Sequence, residues 1–545
     1  MARITLVGSG AAGVHFALSA LKNGHQVTML DVGYTGPQPV NPGQSFVRLK
    51  CSLKDPVDYF LGEKFQSVVS PENDKEIYGF PPNKQYVFTV PPGFKEHASG
   101  FEPLFSFAAG GLAQAWTGGS YPFNDEELKE YPFDYAAIEP YYAEIAQRIG
   151  VIGTQDDLSS YYPLHKNLLP PLQFDNHSQL LVDRYQKKRE KVLQKYGISL
   201  GRSRVAVLSR DFNGRPACDL SGRCIWGCPT NALYVPAITL EQCRAFPAFT
   251  YLPNHWVSYF KYDAQQRITH VVASRPGQST QHEFPVQLLV LAAGTLSTSK
   301  IYLDSIFQNT GQIQQLHGLM DNRQVLVPFI TPAMLGKDYN PDSYQYHQLA
   351  IGFKWGETQE YIHGQVTTLK TALMQPVFQT MPLDWHTATF LGRNLHAALG
   401  VVNINYCDTR REGNTISISH PDSANTIPST LEIAYTPPAG EKKKMADTMK
   451  QVKKFLAALG AIVPPGQAHM RPMGASVHYS GTLPMTAQTA QSNISNPHTL
   501  SPTCKSHSFE NLYVVDGAAF PFLPAKNLTF SLMANAARVA DSISL

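Results

Sequence analysis

At 545 residues the chain exceeds one ordinary domain and suits two interleaved ones, each able to bury a full core. Its 45 basic and 42 acidic residues leave a formal charge of +3, which gives no ground for a nucleic-acid or anionic-membrane partner. Charged residues make up 16% and aromatics 11%, with 40 Pro and 39 Gly, the composition of a folded, loop-rich enzyme and not of a disordered or coiled chain. The best apolar stretch, Val286 to Leu296, is about half the roughly 20 residues a membrane helix needs and contains Gly294, so no integral membrane segment is expected. The first residues run straight into a strand and a glycine turn and do not read as a signal peptide. A cytoplasmic protein is expected, with export beside a signal-bearing partner as the alternative.

In chain order, Ile4 to Val7 reads as a strand, Gly8-Ser-Gly10-Ala-Ala12-Gly13 as a tight turn, and Val14 to Lys22 as a helix. Gln26 to Asp31 is a second strand ending in an acid. Residues 33 to 105 are rich in Pro and Gly without periodicity. Phe107 to Ser120 is a small-residue segment containing Gly110, Gly111, Gly118 and Gly119. Tyr135 to Arg148 and Ser178 to Tyr196 are helical patterns stopped by Gly150 and Gly197, and the basic run of the second reads as a solvated face. Phe249 to Ala273 suggests a hairpin, and Val286 to Ala292 a buried strand leading through Gly294 into a helix to Leu303. Short alternating runs between 325 and 436, such as Asn414 to Ser419 and Leu431 to Tyr435, suggest an antiparallel sheet on the substrate side. Met445, Met449, Val452, Phe455, Leu456 and Leu459 form one helical stripe, read as core packing.

The N-terminal fingerprint carries chemistry through backbone geometry. Gly8 permits the turn, Gly10 lets the chain approach a pyrophosphate, Gly13 allows close helix–strand packing, and the helix N-terminus favours the anion. Asp31 is placed to accept from a ribose hydroxyl. The motif alone does not separate FAD from NAD. Far away in sequence, His478-Tyr-Ser-Gly481-Thr482, the run Leu512-Tyr-Val-Val-Asp516-Gly517 and Lys526-Asn527-Leu528-Thr529 set proton-handling side chains beside a short strand. Seven cysteines, three of them at Cys218, Cys224 and Cys228, argue against a secreted disulfide framework. Three thiolates in one loop suit a cluster lacking a fourth ligand, zinc would need a fourth, and a structural loop with or without a disulfide is the plain alternative.

Leu291-Ala-Ala293-Gly294-Thr295 before a helix, Gly110-Gly111 ahead of Trp116-Thr117, and the C-terminal block together resemble the glucose-methanol-choline (GMC) oxidoreductase family. The run from Tyr131 to Gly153 is similar to its branch of pyranose oxidases and bacterial FAD-dependent glucose and gluconate dehydrogenases. The resemblance implies an α/β fold: a Rossmann-like FAD-binding domain (1–50 with 200–305 and 470–545), cap and flavin-loop insertions (51–199), and an antiparallel-sheet-plus-helices substrate domain (306–469). It implies that Gly8, Gly10, Ala12, Gly13 and Asp31 hold the ADP half of FAD, that Gly110, Gly111 and Trp116 lie near the flavin and Val257 near the adenine. Ala293, Gly294, Asp516, Asn527, Leu528 and Thr529 complete the cofactor contacts, with His478 as catalytic base and Asn527 as its polar companion. Where many pyranose oxidases carry a flavin-linking histidine this chain has Ala115, so the flavin is expected to be noncovalent; Lys526 and Leu528 around Asn527 also depart from the family pattern.

The cysteine spacing resembles a 3Fe-4S site of bacterial FAD-dependent glucose dehydrogenases, which would send electrons to a small subunit or electron-transfer partner. The expected reaction is oxidation of an alcohol group of a sugar, glycoside or similar polyol, with hydride passing to the flavin and electrons to an external acceptor. An oxidase making hydrogen peroxide and a flavin-containing lyase are the rival readings.

Overall fold

The computed structural model describes residues 1–63, 65, 80–369, 383–420, 429–487 and 498–543. Its organising element is a five-stranded, all-parallel sheet in the order Leu512–Val514, Leu288–Leu291, Arg3–Val7, Gln26–Leu30, Phe249–Leu252. These strands read as near-continuous apolar runs because both faces are covered. Helix Ala11–Lys22 packs with Thr529–Asp541, the last helix of the chain, so the two termini share one core.

The order places Arg3–Val7 between its sequence neighbour Gln26–Leu30 and the distant Leu288–Leu291. Connections therefore leave in opposite directions there, and a crevice opens beyond the carboxyl ends of the strands. Gly8, Asp31, Ala292 and Val515 each follow such a strand end.

A second, antiparallel sheet has six strands in the order His469–Met470, Gln324–Ile330, Leu399–Asn405, Glu360–Thr368, Leu349–Trp355, Ser199–Arg202. Alternation sorts its side chains. Val325, Val327, Ile351, Ile362, Val366, Val402 and Ile404 share one core with residues of helices Asn176–Tyr196 and Glu441–Ala458. Gln324, His363, Gln365, Asn403 and Asn405 fall on the opposite phase. The stripe read from the sequence is the inner face of Glu441–Ala458, with Met445, Val452, Phe455 and Leu456 buried.

The helix expected from Ser178 begins at Asn176, where the Asp175 carboxylate accepts from the amides of His177 and Ser178, and it ends at Gly197 with φ +63. Two expectations differ from the structure. The apolar runs of 249–273 form three strands, not a two-stranded hairpin. Phe249–Leu252 joins the parallel sheet, a turn with Asn254 at φ +60 follows, and Trp256–Tyr262 then pairs with Ile268–Ser274. The runs near 415 and 431 pair with each other in a separate four-stranded sheet with Gln315–His317 and Lys95–Ser99, packed on helix Thr295–Thr310. The unreadable early segment supplies Lys95–Ser99 and two short helices, Phe46–Ser52 and Pro56–Leu61. No helix among the described residues is long and apolar enough to cross a membrane.

Phe455 is 1% exposed between the helix pair and the six-stranded sheet. Phe455→Ala should lower unfolding free energy by about 3–5 kcal/mol in denaturant titration.

Candidate active site

The crevice at the strand ends encloses about 1430 Å³ of empty space, its open mouth included. It runs from Asp31 and Val257 at one end, past Gly8, Gly10 and Gly294, to His478 at the other. Three helices point their N-termini into it. Gly10, Gly294 and Leu528 are the residues before those helices, all three line the cavity, and none provides a side-chain cap. The first-turn amides are thus free of side-chain partners and face the cavity, a setting that attracts negative charge.

Close approach explains the glycines. Gly8 has φ +98, and a Cβ there would stand 2.6 Å from the Ala292 carbonyl oxygen. A Cβ on Gly13 would collide with the Gly8 carbonyl, which is why the helix can sit so near the strand. Gly111 has φ +63 and comes so near that its Cβ would lie 3.1 Å from Gly10 Cα. The glycine-rich segment after Phe107 is thereby pressed onto the fingerprint turn, and the Gly110 amide donates to Ser9 Oγ at 2.9 Å. Ser9 in turn donates to Asp31, as does Tyr251 OH at 3.0 Å. Burial pushes the Asp31 carboxyl up to about 7, although those hydrogen bonds oppose the rise.

Asp516, beyond the edge strand, accepts from the Gly294 amide at 2.9 Å, Thr298 Oγ1 at 2.5 Å and the Ala518 amide at 3.0 Å. Burial raises it to about 6. Beside it, Thr295 Oγ1 donates to the Tyr479 carbonyl at 2.7 Å and fixes the short strand Tyr479–Ser480 that follows His478. Val477, just before that histidine, is a β-branched residue at φ +60, a conformation that persists only where its surroundings impose it. The imposing contacts are visible. The Asp321 carboxylate accepts from the Gly474 amide at 2.8 Å and from Ser476 Oγ, and Ser476 Oγ receives the His478 amide at 2.9 Å.

His478 Nε2 lies 3.4 Å from Asn527 Nδ2. The ring lines the cavity while its Nδ1 is sealed off without a partner. Loss of water, with the Arg471 guanidinium nearby, lowers its pKa to about 4, so the imidazole is neutral over the ordinary pH range. A neutral imidazole is a proton acceptor, and here it is a weaker base than an ordinary histidine. Asn527 Oδ1 accepts from Gln365 Nε2 at 2.7 Å. The unusual Lys526 is fully buried. Its ammonium donates to the Pro122 carbonyl at 2.8 Å and to Glu127 and the Tyr161 carbonyl at 2.5 Å each, anchoring the backbone next to Asn527. Asn322 ties both sides together, donating to the Pro524 carbonyl at 2.7 Å while its own amide meets the His478 carbonyl at 3.4 Å.

Of the residues singled out from sequence, Gly8, Gly10, Ala12, Asp31, Gly111, Val257, Ala293, Gly294, His478, Asp516, Leu528 and Thr529 line the cavity. Gly13 and Gly110 act behind the wall, and Asn527 reaches the site through His478. Trp116 is turned away, its indole donating to the Tyr234 carbonyl at 2.7 Å. Sequence reasoning missed Gln365, His347 and His363. His347 and His363 are buried, with Nε2 unpartnered in both, and His363 lies close enough to His478 for their charges to interact. Burial lowers His347 to about 3 and holds His363 well below its ordinary value.

The structure does not support Cys218, Cys224 and Cys228 as a metal centre. None of the three is in a disulfide, and all pack against an apolar cluster that includes Val205, Val207 and Leu233. Among the described residues no three His, Cys, Asp or Glu side chains converge to hold a metal ion. The loop turns sharply at Leu220, Gly222 and Gly227, all at positive φ.

A parallel sheet with a crevice at its switch point, lined by the glycine turn at one strand end and by His478, defines the class: an α/β protein with its cavity at the carboxyl ends of the strands. Residues 409–536 match the GMC oxidoreductase family. It is similar to the fructose dehydrogenase large subunit of Gluconobacter japonicus, 24% identical over 317 residues, covering 55% of this chain and about half (54%) of that protein's length. Paromamine 6'-oxidase of Streptomyces fradiae is 21% identical across 99% of this chain and 91% of that protein. Pyridoxine 4-oxidase from Mesorbium loti shares the fold, with a TM-score of 0.59 and 14% identity over 99% of both chains.

Gly8→Ala should destabilise the protein by about 2 kcal/mol or more, read from the denaturant midpoint, because left-handed strain adds to overlap with the Ala292 carbonyl.

Proposed function

We propose that this protein is an FAD-dependent oxidoreductase that oxidises an alcohol group of a sugar, glycoside or similar polyol, with His478 as base. One observation carries the reading: the imidazole of His478, from near the carboxyl end, faces the same cavity as the phosphate-type turn at Gly8–Gly13. The parallel sheet then acts as a Rossmann-like FAD-binding domain drawn from 1–50, 200–305 and 470–545. The six-stranded sheet serves the substrate domain of 306–469, and 51–199 supplies the insertions. The residues fit FAD. Gly10 and the amides after it would take the diphosphate, Asp31 the ribose, Val257 the adenine, and Gly111, Ala293, Asp516, Leu528 and Thr529 the remainder. FAD bound there noncovalently supplies the acceptor for the hydride equivalent that leaves the carbinol carbon.

The chain's own part is proton handling. His478 Nε2 takes the hydroxyl proton, a role typically worth about 10²–10⁴-fold for a positioned base. Asn527 has a second Nδ2 hydrogen to give the substrate oxygen, holding the hydroxyl against the base. Gln365, on the polar phase of the six-stranded sheet, reaches this site through Asn527. Fructose dehydrogenase and paromamine 6'-oxidase, both named for sugar-type substrates, support the same class.

Electrons pass to an external acceptor, in which case a small subunit or electron-transfer partner is the natural recipient. Dioxygen as that acceptor is the second reading. It is favoured by the likeness to paromamine 6'-oxidase along nearly the whole chain. The test is anaerobic visible spectroscopy of the yellow protein against a panel of sugars, glycosides and alcohols that includes fructose, paromamine and pyridoxine. Air is then admitted and peroxide assayed. A colourless purified protein would sink the proposal.

His478→Ala should retain flavin yet reduce it at least about 10²-fold more slowly with any panel alcohol that reduces the wild type. The pH profile has a definite sign. A base lowered to about 4 stays competent down to that pH, so the acid limb of the reduction rate should fall near pH 4 and not near 6.5. A stopped-flow pH series measures it.

A further inference from the structure

We propose that Gln365 is a positioning residue that fixes the ring proton of His478 on Nδ1, acting through the side-chain amide of Asn527. The inference rests on His478 being the base and concerns what keeps it ready.

A histidine that must accept at Nε2 needs its hydrogen on Nδ1, and the usual device is a carboxylate or carbonyl that receives the Nδ1 hydrogen. That device is missing, because Nδ1 of His478 is buried with no partner. Selection comes from the other nitrogen. Asn527 Nδ2 faces Nε2 at 3.4 Å, and an amide nitrogen only donates, so Nε2 has to present its lone pair.

The amide keeps that orientation because Gln365 Nε2 donates to Asn527 Oδ1 at 2.7 Å. Gln365 is itself directed. Its amide also hydrogen-bonds Tyr121, whose hydroxyl donates onward to Ser203 Oγ at 3.1 Å. Strand Glu360–Thr368 is paired on both edges, and Gly119 leaves a gap of only 3.2 Å between Gln365 Nε2 and a would-be Cβ. Donors thus run in one sense, from Gln365 to Asn527 and from Asn527 to His478. Turning the Asn527 amide over would set two donors face to face at Gln365 and two acceptors face to face at His478. With the proton on Nε2 instead, the ring could not take a second one from the substrate.

Gln365→Glu tests this, since it keeps shape and length but only accepts. It should draw Asn527 Nδ2 toward itself, aim Oδ1 at His478, and move the ring hydrogen to Nε2. Gln365→Leu should leave both tautomers populated. The readout is ¹⁵N NMR of histidine-labelled, flavin-bound protein, with the His478 signals assigned by their loss in His478→Ala. Wild type should show an unprotonated Nε2, and the glutamate variant a protonated one. Its anaerobic flavin reduction should fall roughly 10²-fold or more at unchanged flavin content. If the glutamate variant does not fold, Asn527→Leu, which leaves the Gln365 strand intact, should likewise release the tautomer preference. An unprotonated Nε2 in either the glutamate or the Asn527→Leu variant overturns the proposal while leaving His478 as base. Undiminished reduction in His478→Ala overturns the base itself, whatever the NMR shows.

Discussion

The carboxylate of Asp516 holds the remote parts of this chain in register. One oxygen accepts from Gly294 and Thr298 at the start of a helix, the other from Ala518, and the residue itself lies two positions beyond the edge strand of the parallel sheet. Gly294 follows the Ala292–Ala293 backbone against which Gly8 is pressed. Thr295, one residue on, holds the Tyr479 carbonyl. A phosphate-type turn made by the first residues and an imidazole made by the last seventy are therefore positioned by the same few bonds. Three carboxylates in this region, Asp31, Asp321 and Asp516, are all raised toward neutrality by burial. Such groups are costly unless hydrogen-bonded, and each of them is.

The His478 side of the site depends on a different kind of support. Below its loop lies a dense buried set of charges, with Arg323 bridging Asp408 at 2.9 Å and Glu441 at 2.8 Å, and Asp321 receiving the loop amides. The Asn527 side hangs on the Lys526–Glu127 pair, where burial pushes the ammonium down and the carboxyl up. Removing one member of such a pair strands the other, so these ions specify geometry more than they add stability. Two strained or unusual features, Val477 at positive φ and a wholly buried lysine, each stand next in sequence to a member of the His478–Asn527 pair.

What could be read in the sequence was local. The glycine turn, Asp31 and the helix that follows are adjacent in the chain, and their roles follow from backbone geometry alone. His478 and Asn527 became legible through resemblance, because 49 residues separate them and no periodicity links them. Gln365, His347 and His363 were invisible. A strand's two faces carry alternate residues, but which phase meets the site depends on register and on where the helices land. Lys526 read as a departure from the family, and only burial beside Glu127 gives it a purpose. The cysteine spacing left a cluster and a structural loop both open, and among the described residues no three ligands converge on a metal. The apolar runs of 249–273 were divided by a turn that splits them between two sheets.

The division of labour along Glu360–Thr368 has a consequence for how this enzyme can change. Ile362, Gly364 and Val366 lock the strand onto its neighbours, and a side chain on Gly364 would strike Ile351. Tyr361, His363 and Gln365 project the other way. Because the two sets interleave one residue at a time, chemistry can drift at the odd-numbered positions while the even-numbered ones keep the scaffold. An insertion of a single residue would exchange the sets outright and lose both together. Diversification along this strand is thus open to point changes and closed to length changes.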